Sequence, residues 1–219
     1  MFNMEKVANL LNFDSSMKDD LNIKEEVFEV LNGTVDVLNT ISSLIDPYTA
    51  NHQHRVSQLA CAIAEKLGLP KYQIEGIKVG SLLHDIGKVA IPNHILSKYG
   101  SISEHEFGII KSHPQNGYKI LSKLKLPWPV HKMVLHHHER LDGTGYPVGL
   151  LGEDILFEAK IIAVADVVEA MSSHRPYRSS LGMDTAINEI SDNSDILYDK
   201  NVVTACTRLL LEDKFEFKS

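Results

Sequence analysis

The sequence predicts an all-α fold on two observations. Apolar residues recur at helical spacing through most of the 219-residue chain, and no segment shows the alternation of a strand. There is no internal repeat. Residues 1–20 read as a short helix and a polar linker through Asp14-Ser15-Ser16-Met17-Lys18-Asp19-Asp20. Leu21 to Ile45 carries Val27, Val30, Leu31, Val35, Leu38 and Ile41 at helical spacing and ends before Pro47. Three readings stay open for this amphipathic stretch: it docks on the rest of the chain, it dimerises, or it is the stub of a linker from a regulatory domain. Docking is the simplest. Further helices are expected at about 50–67, 71–85, 103–111, 114–123, 127–138, 158–171, 183–192 and 199–213. The chain therefore divides into an N-terminal helical segment, 1–45, and a main domain, 46–219.

Composition bounds the function. With 43% apolar residues the chain suits one ordinary globular domain, large enough to enclose a cavity. A formal charge of −7 argues against a nucleic-acid polymer as partner, which would favour a basic face. It leaves room for a small anionic ligand, whose local field is set by metals and a few cations. No apolar run approaches the roughly 18–20 residues of a membrane span, and the N-terminus lacks the basic region and apolar core of a secretion signal. Cys61 and Cys206 are far apart and form no CxxC motif, so two reduced thiols in a cytoplasmic protein are expected.

The chemistry lies in the histidines, 11 in all, which cluster in short motifs. His52, Val56, Leu59, Ala60 and Ile63 share one helical face, so His52 points inward and His54 does not. Val130, Met133 and Val134 set a stripe that continues at His137 and His138, leaving His136 outside it. Asp166 sits inside the run Ile161-Ile162-Ala163-Val164-Ala165-Asp166-Val167-Val168, where a buried carboxylate is costly unless a metal or cation compensates it. Taken singly, each position has a plain structural reading: a hydrogen-bonded core histidine, or an Asp166–Arg175 pair. Taken together, His52, His84, Asp85, His113, His137, His138 and Asp166 would need several independent accidents. Imidazole and carboxylate without cysteine is a ligand set for iron, manganese or zinc in hydrolytic work.

Adjacent ligands carry more. Successive helical residues point about 100° apart, so within a regular helix neither His84 and Asp85 nor His137 and His138 would serve one metal together. Two metals side by side follow, with the Asp85 carboxylate bridging them. Metals about 3.5–4 Å apart activate a bridging hydroxide and neutralise a phosphate during in-line displacement, which points to phosphoester hydrolysis.

These residues stand in ordered motifs: His52-Gln53-His54-Arg55-Val56, His84-Asp85-Ile86-Gly87-Lys88, His113-Pro114-Gln115-Asn116-Gly117, His137-His138-Glu139, Asp142-Gly143-Thr144-Gly145-Tyr146-Pro147, and Ala165-Asp166 through Arg175-Pro176-Tyr177-Arg178. In this order they resemble the HD-GYP domains, bacterial cyclic-dinucleotide phosphodiesterases of the HD hydrolase superfamily. The resemblance runs from about Asp46 to Arg178 and on through the C-terminal helices. It implies an all-helical fold around a buried di- or trinuclear centre, with iron or manganese most often and zinc, magnesium or nickel as further candidates. It implies hydrolysis of cyclic di-GMP to pGpG, in some members on to GMP, while others prefer cyclic GMP-AMP. It places the metal ligands on the seven residues above and the substrate contacts on Lys88, Tyr146, Arg175 and Arg178.

The residue chemistry agrees. Gly87 offers a left-handed turn that lets Lys88 reach back over the metals, where an ammonium would stabilise the phosphorane and the leaving oxygen. Arg175 and Arg178 flank Pro176-Tyr177 and offer forked donors for phosphate or guanine. The turn-rich GYP loop brings Tyr146 to the pocket and is also a candidate surface for a protein contact. Glu139 is read as an acceptor that orients an imidazole, or else as a simple surface acid, and Asp142 as a bond to local amides. One departure bears on nuclearity: trinuclear members carry Glu four residues before the first His, and here that position is Tyr48. Two metals are therefore expected, with His52 the ligand most dependent on a third. The rival readings are a binding module that senses a cyclic dinucleotide or a partner without turnover, and an HD hydrolase of cyclic GMP-AMP or another phosphate ester.

Overall fold

The computed structural model describes residues 18–45, 49–98, 100–173 and 180–218, so Tyr48, Arg175 and Arg178 lie outside the described residues. Its elements are helices α1 (Lys18–Ile45), α2 (Thr49–Lys66), α3 (Lys71–Leu83), a 3₁₀ turn (Ile86–Ala90), α4 (Asn93–Leu96), α5 (Glu104–Ile110), α6 (His113–Leu121), α7 (Val130–His136), α8 (Phe157–Ser172), α9 (Met183–Asp192) and α10 (Lys200–Leu211). No strand occurs among the described residues, only the isolated bridges Asp142–Leu151 and Ser194–Tyr198. The all-α class holds.

The core forms where the periodic faces meet. Val56, Leu59, Ala60 and Ile63 of α2 pack with Ile77, Val79, Leu82 and Leu83 of α3 and with Ile161, Ile162, Val164, Ala165 and Val168 of α8. Helix α8 is apolar almost all round because it runs through the middle, and Asp166 and Glu169 are its buried acids. On α1, Val35 joins this core and Leu31 and Leu38 pack against it, whereas Val30, Val37 and Leu44 stay exposed. No described helix is long and apolar enough to cross a membrane. Both cysteines are free, and burial pushes each thiol up to about 12.

Local signals set several boundaries. Ser103 begins α5 in a capping box, accepting from the Glu106 amide while the Glu106 carboxylate accepts from its own. Asp199 caps α10 through the amides of Asn201 and Val202. Helix α7 is shorter than the expected 127–138: Pro129 stands at its N-cap, and the helix ends at His136, so His137 and His138 lie beyond regular helix. The 3₁₀ turn and α4 were not expected. Five and four residues long, they are too short for periodicity to register.

Helix α3 meets the loop before α7 at Gly76, where a Cβ would stand 2.6 Å from Cδ1 of Trp128. Gly76→Val is expected to destabilise the chain by about 1–3 kcal/mol through overpacking, read as a lower urea midpoint at unchanged slope. An unaltered midpoint would show that Trp128 is free to move.

Candidate metal centre

Helix ends, not helix faces, deliver most of the donors. His84 is the C-cap residue of α3 and Asp85 leads into the 3₁₀ turn, with φ −98° and ψ 5°. His137 is the C-cap residue of α7, and His113 opens α6 three residues after α5 ends. Each of these imidazoles turns back on the helix before it: Nδ1 is 2.7 Å from the Ser81 carbonyl in His84, 2.8 Å from that of Ile110 in His113, and 2.7 Å from that of Val134 in His137. A carbonyl only accepts, so Nδ1 carries the hydrogen and donates it. The last carbonyls of a helix lack an intrahelical partner, so each ring satisfies one. Its other nitrogen, Nε2, is left as a bare acceptor aimed inward.

The acceptors converge on two groups. One ligand atom from each of His52, His84 and Asp85 lies within 4.8 Å of the others, and the same holds for His113, His137 and His138. Asp85 stands between the groups, with Oδ2 at 3.4 Å from His84 Nε2 and 4.0 Å from His52 Nε2, and Oδ1 at 3.3 Å from His113 Nε2. Asp166 closes the first group, its Oδ1 at 3.1 Å from His52 Nε2 and 3.9 Å from His84 Nε2. All seven expected donors are therefore in one place. Six of them are no more than 8% exposed, and His138 is half-buried.

Each adjacent pair nonetheless falls within a single group, contrary to the argument from helical angles. The pairs sit where the helix has stopped, so the 100° rule does not bind them. Gly87 also differs from expectation. Its φ is not positive; it is needed because the 3₁₀ turn lies directly on α6, where a Cβ would come 1.9 Å from the His113 carbonyl oxygen. That contact keeps Asp85 beside His113. Lys88, one residue on, sets Nζ 2.7 Å from Asp85 Oδ2.

Electrostatics separate the groups. Burial opposes ionisation of Asp85, yet Lys88 and the imidazoles of His84, His113 and His52 hold its carboxyl well below the usual range. Asp166 is likewise held low against burial, chiefly by its hydrogen bond to His52. Burial pushes His113 down to about 4. His137 and His138 go well below the ordinary value, from burial first and neighbouring imidazoles second. These rings are neutral at pH 7. His52 is the opposite case: burial pulls it down, but hydrogen bonds to Asp166 and Glu169 outweigh this and raise it to about 9.

The donor set fits a cation on its own geometry. Nε2 of His113 and Nε2 of His137 stand 3.3 Å apart. Because both rings carry their hydrogen on Nδ1, two lone pairs face each other in a buried space. Acceptors so placed repel unless a donor or a cation lies between or beside them, and this set of imidazoles and carboxylates suits a divalent cation.

Other residues differ in how they meet the site. Tyr146 stacks on His138, ring centres 4.6 Å apart. His136 stays outside the groups and accepts from the Leu156 amide at 3.3 Å. Asp142 accepts from the amide and hydroxyl of Thr144, 3.0 and 2.7 Å, on the exposed loop and touches no imidazole. Glu139 is neither surface acid nor imidazole partner: buried, it accepts from the amides of Val148, Gly149 and Leu150 at 2.8–3.0 Å and so fastens the GYP loop. Sequence reasoning missed Glu169. Its buried carboxylate binds His52 Nδ1, the Arg55 guanidinium at 2.5 Å and the Ser173 hydroxyl at 2.8 Å. A signal existed, since Glu169 lies three residues after Asp166 and Arg55 three after His52, each pair on one helical face.

Residues 36–202 match the family described as the HD domain. With the paired His/Asp groups already placed, that match decides the affiliation. The chain belongs to the HD domain family. It is 41% identical over 165 residues to the cyclic di-GMP phosphodiesterase response regulator RpfG of Xanthomonas campestris, covering 74% of this chain and 44% of that protein. It is 38% identical over 211 residues to a cyclic di-GMP phosphodiesterase of Thermotoga maritima, covering 95% and 54%. Among solved structures, the cyclic GMP-AMP specific phosphodiesterase V-cGAP3 of Vibrio cholerae superposes with TM-score 0.55 at 27% identity, over 92% of this chain and 49% of the other. The chain thus spans about half the length of the curated relatives it matches.

Glu169→Gln keeps an acceptor but removes the charge that fixes His52. The expected result is a folded chain whose affinity for a divalent cation is about 10–100-fold weaker by chelator competition. Unchanged affinity would remove Glu169 from the site.

Proposed function

We propose that this HD domain is a metal-dependent phosphodiesterase that opens cyclic di-GMP to pGpG, with further hydrolysis to GMP as a second step of the same chemistry. The observation that carries this reading is the Asp85 carboxylate placed between two histidine groups with the Lys88 ammonium upon it. The names of the Xanthomonas and Thermotoga relatives support it. The Vibrio structure favours a second substrate, cyclic GMP-AMP, for the same site. A module that binds without turnover is the less economical reading, because mere binding gives no reason for seven converging donors, six of them buried.

In this reading His52, His84, Asp85 and Asp166 would hold one divalent cation and His113, His137 and His138 the other, with Asp85 standing between the two groups. Iron or manganese is proposed, imidazole–carboxylate donors being suited to either. Such a pair supplies an acidified water and positive charge for the phosphate. The protein's own residues do the rest. His84, His113 and His137, capped onto backbone carbonyls, aim their Nε2 atoms inward without rearrangement. Lys88, held beside Asp85, faces the scissile phosphate. As the water oxygen bonds to phosphorus and the P–O3′ bond breaks, Lys88 gives a proton to the departing 3′-oxygen. Tyr146, stacked on His138, lines the entrance. Arg175 and Arg178 are proposed to complete the grip on phosphate and base.

The test is anaerobic reconstitution with Fe(II) or Mn(II), incubation with cyclic di-GMP and separation of products. The expected outcome is pGpG or GMP from the wild-type chain. From Asp85→Ala the expectation is no product and lost metal, with an unchanged circular dichroism spectrum. Turnover by Asp85→Ala would refute the bridging role. Metal analysis of the active sample should give about two ions per chain, because Tyr48 offers no carboxylate; a ratio near three would overturn that count.

A further inference from the structure

Helix α5 has no buried residue, and Phe107 on it is 46% exposed. Packing against the core therefore does not explain why a phenyl ring stands there. Lys111, immediately after the helix, lays its ammonium over two rings, 4.8 Å from the centre of Phe107 and 5.4 Å from that of Tyr146. Tyr146 in turn stacks on His138. A continuous line of contacts thus leads from a candidate ligand to an open aromatic face, with a cation between the last two rings. Of the two acids on α5, Glu104 and Glu106, the latter is committed elsewhere: it accepts from Lys98 at 2.7 and 2.8 Å and from the Ser103 amide at 2.8 Å. Among the described residues no carboxylate pairs with Lys111, whose contacts are the two rings. A cation resting on ring faces keeps its hydrogen-bond donors available for an anion.

A cyclic dinucleotide carries two phosphodiesters and two purine bases, and only one phosphodiester reacts at a time. The other phosphodiester and the bases must be held by groups away from the reacting centre. We propose that Phe107 and Lys111 form this second contact: Phe107 presents a face on which a purine stacks, and Lys111 pairs with the phosphodiester that is not being cleaved. The inference rests on the cyclic-dinucleotide reading above and adds residues that set specificity for it. Aromatic faces stack bases of any sequence, and an ammonium accepts any phosphate, so the pair selects for the size and charge of a dinucleotide.

The test is steady-state kinetics of the metal-loaded full chain on two substrates. One is cyclic di-GMP; the other is methyl p-nitrophenyl phosphate, which has a single phosphodiester and no purine. Lys111→Met and Phe107→Leu should each raise KM for cyclic di-GMP by about tenfold or more, with kcat and metal content little changed and a much smaller loss on the simple diester. Lys111→Arg, which keeps the charge, should recover most of the lost KM. Equal losses on both substrates, or an unchanged KM with only a lower melting temperature, would overturn the inference and leave Lys111 as a cover for Phe107. Those outcomes leave the phosphodiesterase reading intact. Wild-type turnover of the simple diester without any turnover of cyclic dinucleotides would overturn both.

Discussion

Bare imidazole nitrogens facing one another in a buried space are the constraint on which this molecule is organised. A cation placed among them would relieve their repulsion. Every nearby feature serves to keep them so placed. Carbonyls at helix ends hold the hydrogen on the far side of three rings, the 3₁₀ turn pressed on α6 keeps Asp85 beside His113, and Glu169 with Arg55 fixes His52 from behind. The apolar helices α2, α3 and α8 supply a dry frame in which such charge and dipole interactions are strong.

The two donor groups are not alike. The first includes Asp85, with Asp166 beside it and a His52 held between two carboxylates, so a cation bound at its Nε2 would compete with a proton there. The second is three neutral imidazoles whose negative complement is borrowed from one oxygen of Asp85. Carboxylate favours harder cations and imidazole tolerates softer ones, so the first group would suit a harder cation than the second.

Much of this was legible in the sequence, for identifiable reasons. The inward aim of His52 follows from four apolar residues on its face, and the burial of Asp166 from the run around it, because both lie inside regular helix. The spare position of His136 came from the same periodicity. What failed was reasoning by helical angle at His84-Asp85 and His137-His138, since those residues lie where the helix has ended and periodicity carries no information. Gly87 misled in a related way: a glycine in a turn suggests positive φ, while the need here is for close approach to a segment distant in sequence. Apart from Ser173, the partners of Glu139 and Glu169 lie 9 to 117 residues away and leave only faint local traces.

In His84, His113 and His137 the bond that orients the ring runs to a carbonyl three residues earlier. Orientation is thus a property of a four-residue stretch, not of the assembled core. Each stretch loses its ring's rotational freedom locally, and tertiary folding has only to bring together pieces that already point correctly. A core residue changed elsewhere can shift a whole helix end, yet the ring rides with it as a rigid attachment. The centre is in this sense modular, built from small pre-aimed units and joined by one shared carboxylate.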